Sequence, residues 1–425
     1  MIALRKMQMR YSKLFLLCLL FVSANALAQL GNRKTSTSAN PRLDELQEKG
    51  YEALFNLDYE AARQTFKEMA RLFPDDPSGP QMLASTLCLE TLNKSRLLQG
   101  AIYSSQSFDA NTEDKPDPHV IQEFRDLTRQ ATQLAKARLQ RNPREPHTFY
   151  TLGAIESLKA SFEATVERRF IAALRDGSSG VDRHRGVIKL DPNFHDAELT
   201  IGLYDYIIGT LPLPAKLVVS MAGVRGSKKR GIQTLERVAE EGYWQRDDAK
   251  LLLMAIYKHE NRFPESLTLS RELQEKYPRN YLFRLETADT LISQAAGERH
   301  ANRVAAADAL EKEALTTFDS LLRERSLSSA PARALALIRF RYGEALLQFG
   351  QPEHAARQFL AATTVDGAET GLVTRAHLRA AQSLDLAGKR NDALVEYRIV
   401  LTRPNNHDSL EWARRGLEEP YKKTK

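Results

Sequence analysis

The chain has 425 residues, of which 42% are hydrophobic and 27% charged, with two cysteines and a formal net charge of +7 at pH 7. This composition excludes a disordered chain and a disulfide-stapled fold, and it fits an ordinary α-helical protein with a substantial core. At this length a chain normally forms two or three domains, unless it is built from repeats.

The first 28 residues have the pattern of a secretory signal peptide. Four basic residues precede an apolar run from Leu14 to Val22, and Ala26–Ala28 supplies a small-x-small cleavage pattern. The sequence therefore predicts cleavage before Gln29 and export to the bacterial periplasm or envelope, with secretion beyond it as an open alternative. An uncleaved anchor is the other alternative, but the apolar run is shorter than the ~20 residues that a membrane span needs.

Removal of the signal peptide changes the charge and the cysteine count. Basic residues fall from 61 to 57 against 54 acidic ones, so the net charge falls from +7 to +3. So small a charge gives no reason to expect a nucleic-acid partner. The remaining cysteine, Cys88, lies in an apolar helical stretch, where a buried inert thiol is expected.

The rest of the chain is predicted to be helical, with no strand pattern. A polar, flexible linker over 29–41 leads into about eight helix pairs over 42–418, predicted as a single solenoid, and a basic tail follows at 419–425. The compact pairs span 42–74, 247–278, 337–366 and 374–403, and expanded pairs lie within 80–241 and 280–325. A short helix over 408–418 is predicted to cap the last pair.

The expanded pairs are predicted to differ in their connections. The second carries a polar loop over 104–118. In the third, the first helix is expected to continue to Arg175 and to turn at Gly177–Gly180. In the sixth, a loop is expected around Gly297.

Small and aromatic residues recur at fixed offsets along the chain. The copies are Gly50, Ala62, Phe66 and Pro74; Gly343, Ala355 and Phe359; and Ala381, Ala393 and Tyr397. The small residues let two helices approach closely, and the aromatic ring fills the space beside them. This spacing resembles the tetratricopeptide repeat (TPR) superfamily. The resemblance implies an all-α, right-handed superhelical solenoid of TPR-like helix pairs, which binds partners and is not an enzyme.

The resemblance also implies a binding surface, because the superfamily binds partners on the concave face lined by the first helix of each pair. Projected onto this chain, the candidate partner-binding groove consists of Lys258, Arg341, Glu344, Gln348, Arg375, Gln382 and Asp385. Arg341 and Arg375 are placed to meet a carboxylate of a protein or peptide partner.

A second candidate surface lies in the segment 211–230. Two Leu-Pro steps lead into an apolar stretch that basic residues follow at once. The candidate docking hairpin consists of Leu217, Val218, Met221, Val224, Arg225, Lys228, Lys229 and Arg230. Such a segment docks on a protein or an anionic lipid surface, as in a peripheral membrane adaptor. The alternative is that its apolar side chains fill the gap left by a lengthened repeat, which their helical spacing favours.

No catalytic, cofactor-binding or metal-binding motif is present in the sequence. The nine histidines are scattered singly, and the glycine-rich segments lack the spacing of phosphate-binding loops. An enzyme built on this frame would need a pocket that gathers Glu156 or Glu163 with Tyr204, Asp205 and a histidine. The identity of the partner and the oligomeric state do not follow from the sequence.

Overall fold

In a computed structural model of the protein, residues 40–94, 117–221, 225–323, 332–406 and 408–422 are described. The predicted signal peptide, nearly all of the linker and most of the polar loop over 104–118 lie outside these residues. Within them every regular element is a helix and none is a strand, which confirms the all-α prediction. They group into two compact units, Met1–Asn280 (unit 1) and Tyr281–Lys425 (unit 2), where the sequence predicts one continuous array.

Unit 1 consists of helices that pair in chain order. They are α1 (Pro41–Phe55), α2 (Tyr59–Leu72), α3 (Ser78–Lys94), α4 (Pro118–Arg141), α5 (Pro146–Thr165), α6 (Phe170–Leu190), α7 (Glu198–Thr210), α8 (Leu213–Met221), α9 (Lys228–Glu241), α10 (Arg246–His259) and α11 (Phe263–Lys276). The pairs are α1 with α2, α3 with α4, α5 with α6, α7 with α9, and α10 with α11. Helix α8 is the insertion predicted within the fourth pair.

Unit 2 continues the pairing and ends in the predicted capping helix. Its helices are α12 (Tyr281–His300), α13 (Val304–Arg323), α14 (Ala332–Gln348), α15 (Pro352–Thr363), α16 (Thr370–Leu386), α17 (Arg390–Leu401) and α18 (Ser409–Glu418). Helix α18 packs against α16 and α17, where its Ala413 joins a core cluster with Ala381, Ala393 and Tyr397. The exposed apolar face of the last pair is thereby covered.

Local sequence explains where many of these helices begin and turn. Four helices begin with a proline, whose fixed φ and missing N–H suit the first helical position. These prolines are Pro41, Pro118, Pro146 and Pro352. At the turns after α14 and α16, Gly350 and Gly388 adopt φ angles of +73° and +75°, which other residues rarely adopt.

The predicted close approach of paired helices is present in both units. Gly50 of α1 lies against the ring of Phe66 of α2, and a Cβ at Gly343 of α14 would stand 2.7 Å from Cε1 of Phe359. The same arrangement recurs where Gly416 of α18 meets the Tyr397 ring. These contacts place an aromatic ring against a bare backbone, as the repeat spacing predicts, and confirm TPR-like helix pairs within each unit.

The expected turn at Gly177–Gly180 is wrong, because these residues lie inside α6. The chain turns earlier, between α5 and α6, where Arg168 has a positive φ of 58°. The Gly180 backbone lies directly against Ser157 of α5, with no room for a side chain. Gly180 therefore serves the packing of α6 on α5.

The expected loop at Gly297 is also wrong. Helix α12 continues through this residue to His300, and Asn302 makes the turn with a φ of 59°. No atom lies within 4 Å of a Cβ built on Gly297, so this glycine is not needed for packing. A single glycine costs a helix about 1 kcal/mol, which the packing of α12 on α13 offsets.

In unit 1 the first helix contacts the last pair. Phe55 of α1 stacks on Tyr277 with ring centroids 4.7 Å apart, and Asn280 donates to the Phe55 carbonyl at 2.6 Å. Tyr51 of α1 lies 6.2 Å from the ring of Trp244. A repeat array in which each unit contacts only its neighbours does not have such contacts. The pairs of unit 1 therefore close on themselves.

None of the helices in the described ranges is long and apolar enough to cross a membrane.

Candidate binding surfaces

The seven residues of the predicted groove are divided between the two units. Lys258 lies in unit 1, buried on α10, and the other six belong to α14 and α16 of unit 2. Among these six, Arg341 and Gln382 are buried, and Gln348 is exposed at the end of α14.

Arg341 is held inside unit 2 by an acidic partner. Its guanidinium forms an ion pair with Asp289 of α12, and both side chains are largely shielded from water. An ion pair this deeply buried is costly to break, because either partner alone would leave an uncompensated charge. Arg341 is therefore already engaged within the fold.

Arg375 occupies a different environment from Arg341. It is half-buried, with its guanidinium 5.1 Å from the centre of the Phe340 ring. This arrangement is a cation–π contact.

A charged ladder, formed by Glu344 of α14 with Arg379 and Gln382 of α16, connects the two helices. Arg379 donates through Nε and Nη2 to the carboxylate of Glu344 at 2.5 and 3.0 Å, and through Nη1 to Gln382 at 2.8 Å. Two parallel bonds to one carboxylate fix the guanidinium plane. Glu344 and Gln382, both predicted groove residues, are thus held in place by an arginine that the prediction did not include.

The chain's own terminal segment lies against this ladder. Residues 419–422, which follow α18, form an extended stretch in which the Tyr421 N–H donates to Asp385 Oδ2 at 2.8 Å. The Tyr421 side chain lies close enough to Arg379 to raise the pKa of its guanidinium. The prediction treated 419–425 only as a basic tail, and no sequence pattern connects Tyr421 to α16.

Two other side chains donate hydrogen bonds to Asp385 and hold its carboxylate in place. Arg390 donates to both of its oxygens at 3.0 and 3.1 Å, and the Tyr397 hydroxyl donates to Oδ2 at 2.9 Å. Burial and the neighbouring carboxylate raise the pKa of Tyr397, so its hydroxyl stays protonated and remains a donor. The result is a fixed, buried carboxylate that accepts a backbone N–H of an extended segment.

The candidate docking hairpin is exposed where the structure describes it. Leu213, Leu217 and Met221 of α8 are 77%, 66% and 89% exposed, and each lies four positions after the one before it. They form one apolar stripe along the helix. The interpretation of this stretch as a core filler is therefore wrong for Leu217 and Met221. The Val218 side chain and Val224 lie outside the described residues.

The basic residues after α8 fall into two classes. Lys228 pairs with Glu260, and Arg230 pairs with the buried Asp205. Arg225 and Lys229 are exposed and form no ion pair with a described residue. The first two hold α9 in place, and the second two present charge to the solvent.

The residues of the hypothetical enzyme pocket are engaged separately. Glu156 accepts from Arg183 at 2.7 Å, and the Arg185 guanidinium lies 5.7 Å from the Tyr204 ring. Asp205 pairs with Arg230, and burial raises the pKa of Glu163. No group of three potential metal ligands occurs among the described residues.

The interior of unit 1 contains polar groups that sequence analysis missed. Asp196 accepts the backbone N–H groups of Tyr243, Trp244 and Gln245 at 2.8 to 3.0 Å, which fixes the entry to α10. The Tyr277 hydroxyl donates to buried Asp247 at 2.6 Å. Short polar residues at scattered positions carry no signal that would place them together.

Two further buried groups have strongly shifted pKa values. Burial lowers the pKa of His184 to about 4, although its contact with the Tyr150 carbonyl at 3.1 Å favours the charged form. Burial also raises the pKa of Cys88 to about 12, so the thiol remains protonated, as expected for an inert side chain.

Comparisons with known proteins concern the fold alone. No protein-family profile and no curated protein matches the chain. Among solved structures, a human IFIT1 dimer with PPP-AAAA is 12% identical, covers 91% of this chain and 86% of its own, and has a TM-score of 0.43. Yeast Tom70 is 11% identical, with 86% of each chain covered and a TM-score of 0.34. TTC0263, a thermophilic TPR protein of Thermus thermophilus, is 15% identical over 49% of this chain and 98% of its own, with a TM-score of 0.33.

Scores this low carry no argument about function, and the assignment of the fold rests on the chain's own packing. Repeated helix pairs, the Gly-to-aromatic contacts within them and the capping helix are each present in the described residues. The chain has the fold of the tetratricopeptide repeat superfamily.

Proposed function

We propose that the protein is an exported, non-catalytic scaffold that binds extended segments of partner proteins in the bacterial cell envelope. The binding surface is the face of α16 in unit 2, with Arg379, Gln382 and Asp385 as its fixed polar groups. The terminal segment 419–422 occupies this surface until a partner displaces it.

One observation carries the proposal, namely that the α16 face already accepts an extended piece of chain. A backbone N–H bonds to Asp385, and an aromatic side chain lies beside Arg379. Neither contact requires a sequence unique to the tail, since every residue but proline offers the N–H and an aromatic side chain with a hydroxyl is common. The partner is therefore a protein or peptide whose extended segment includes a tyrosine.

The mechanism is preorganisation, in which the binding side chains on α16 are held in position before a partner arrives. Arg379 is held by Glu344, and Asp385 is held by Arg390 and Tyr397. Side chains that are already immobile lose little conformational entropy when a partner arrives, so more of the interaction energy appears as affinity. The tail competes because it is tethered, which gives it a high effective concentration at the surface.

The test compares the chain from Gln29 to Lys425 with a chain that ends at Glu418. Each is used to recover proteins from native envelope extract, and a synthetic peptide of residues 419–425 is added as competitor. The truncated chain should recover more of a recurrent partner, by several-fold, and the peptide should reverse the gain. The same peptide with its tyrosine replaced by alanine is the matched control and should compete poorly.

Equal recovery by both chains, with no competition by the peptide, would remove the α16 face as the binding surface. Because α18 caps the last pair and is retained in both chains, a loss of folding does not explain a difference between them. Thermal melting of both chains verifies this point.

The proposed location has its own test. Fractionation of cells and N-terminal sequencing of the purified protein should find the mature chain in the envelope, beginning at Gln29. A chain that is retained in the cytoplasm with its original N-terminus would contradict export. The expectation that nucleic acid is not a partner also stays a prediction, and retention on a nucleic-acid column at physiological salt would contradict it.

A further inference from the structure

Exposed apolar side chains gather at one end of unit 1. The stripe of α8, Leu213, Leu217 and Met221, is joined by Ile171 and Leu174, which are 87% and 54% exposed at the start of α6. Single exposed apolar residues are common on protein surfaces, but five within two helices of one unit are not.

The topology brings the two elements to the same end. A short connection links the end of α6 to the start of α7, and the Arg185 guanidinium of α6 lies over the Tyr204 ring of α7. The two helices are therefore antiparallel neighbours, so the start of α6 and the end of α7 face the same way. Helix α8 begins three residues after α7 ends.

The charged residues in the segment around α8 are all basic. No aspartate or glutamate occurs between positions 206 and 235, whereas the same segment contains five basic residues. Arg225 and Lys229 are exposed without an ion pair among the described residues. At the start of α6 the arginines pair with largely buried carboxylates, Glu167 and Asp176.

Helix α8 is also only loosely attached to the rest of the unit. It forms no extensive packing with another described helix, and the Lys216 ammonium donates to the Gly209 carbonyl at 2.6 Å, which bends the chain back on α7. A short helix held in this way presents its apolar stripe outward.

We infer that this end of unit 1, the α8 surface (Leu213, Leu217, Met221, Ile171, Leu174, Arg225 and Lys229), binds an anionic lipid bilayer. Apolar side chains enter the boundary between headgroups and acyl chains, and cations beside them contact the anionic headgroups. A lipid surface accepts apolar side chains spread over two elements without a complementary shape, whereas a protein partner would require one. The inference is independent of the α16 face, which lies in unit 2.

The test measures binding of the chain from Gln29 to vesicles by co-sedimentation. This form contains every described element and lacks the apolar run Leu14–Val22, which would itself enter membranes. Vesicles of phosphatidylcholine alone are compared with vesicles of equal parts phosphatidylcholine and phosphatidylglycerol. Binding should require the anionic lipid and should weaken as salt rises from about 0.1 M to 1 M.

Two sets of substitutions locate the surface. Leu213→Ser with Leu217→Ser and Met221→Ser should abolish sedimentation, and Val304→Ser with Val395→Ser, two valines that are half exposed in unit 2, should not change it. Arg225→Glu with Lys229→Glu should weaken binding by roughly tenfold or more, since one cation near an anionic surface corresponds to about fivefold in binding. Lys136→Glu with Arg144→Glu, at exposed positions elsewhere in unit 1, is the charge-matched control.

Three results would overturn the inference. The first is the absence of binding to anionic vesicles, and the second is equal binding to both kinds of vesicle. The third is binding that survives both sets of substitutions, which would place the contact elsewhere. All the substituted side chains are exposed, so melting temperatures should stay unchanged and a loss of binding can be assigned to the surface.

Discussion

Unit 1 and unit 2 are built from the same kind of helix pair, but they differ in what these pairs contact. In unit 1 the first helix contacts the last pair through Phe55, Tyr277 and Asn280, and the interior is filled by aromatic and polar side chains. In unit 2 the charged ladder on α14 and α16 contacts Tyr421 of the terminal segment. The same repeat thus produces a self-closed body in one case and a face that takes an extended segment in the other.

The difference also shows where partner binding is to be sought. Lys258, the predicted groove residue of unit 1, is buried in the closed body, whereas Gln348, Arg375 and the α16 face belong to unit 2. In unit 1, the α8 surface is exposed and can contact another molecule. The comparison therefore distinguishes the α16 face of unit 2, which we propose binds extended segments, from the α8 surface of unit 1, which we propose binds lipid.

The interior of unit 1 should be most sensitive at Asp196. Asp196→Ala leaves three buried backbone N–H groups without their acceptor, and each such group costs about 1–3 kcal/mol. We expect a loss of about 4 kcal/mol in the free energy of unfolding, measured by denaturant titration. The control Asp182→Ala, at an exposed position on α6, should change it by less than about 0.5 kcal/mol. Similar values for both would show that the polar interior does not hold unit 1 together.

Unit 2 should be most sensitive where its helices approach closely. Gly343→Leu places a side chain against the Phe359 ring and should cost about 3 kcal/mol through overpacking. Gly297→Leu is the matched control in the same unit, because nothing lies within 4 Å of its Cβ position, and it should leave stability unchanged or raise it slightly. Normal melting of the Gly343 variant would contradict the assignment of this pair.

The pH dependence of stability tests the buried His184 of unit 1. His184 has a folded pKa of about 4 against an ordinary value of 6.5, so the unfolded chain binds the proton more readily between these values. Its contribution is complete above about pH 6.5 and falls as pH drops toward 4, by about 3 kcal/mol in total. Because burial also lowers the pKa values of His147 and His259, His184→Gln should reduce this slope without removing it. The control His354→Gln, at an exposed position in unit 2, should leave it unchanged. An identical slope in all three proteins would rule out His184 as its source.

The smallest expected effect concerns the closure of unit 1. Asn280→Ala removes one hydrogen bond to the Phe55 carbonyl and should cost about 1–2 kcal/mol. Hydrogen exchange at the end of α1 should rise in parallel, because the helix loses a fixed contact with the last pair. The exposed α4 substitution Gln122→Ala serves as control. Unchanged exchange in α1 would mean that the remaining contacts, the ring stacking and the bond from the Arg279 N–H to Asn56, suffice to close the unit.

The repeat spacing predicted most of the helix pairs because their packing is local. Gly50 and Phe66, or Gly343 and Phe359, are sixteen residues apart, and both partners lie on adjacent helices of one pair. The errors at Gly177–Gly180 and Gly297 have a local cause as well. Glycine is compatible with a turn and with a tightly packed helix, and only the neighbouring helix decides between them.

Burial of the candidate site residues was not predictable in the same way. Arg341 was expected to meet a partner, but Asp289, fifty-two positions earlier, neutralises it inside unit 2. Leu217 and Met221 have the helical spacing of core residues and are nevertheless exposed, since no helix in the described part of the chain covers them. Whether a side chain is free depends on residues far away in the sequence.

The sequence by itself determined the all-α class, the pairing of helices and the close contacts within pairs, because each depends on residues less than about one repeat apart. Only the tertiary structure decided that unit 1 closes on itself, that the terminal segment lies on α16 and that α8 stands exposed. These features depend on contacts such as Asn280 with Phe55, 225 positions apart, for which a single sequence has no periodic signal. Packing within helix pairs recurs along the chain and leaves a periodic pattern, whereas the contacts that close unit 1 occur only once.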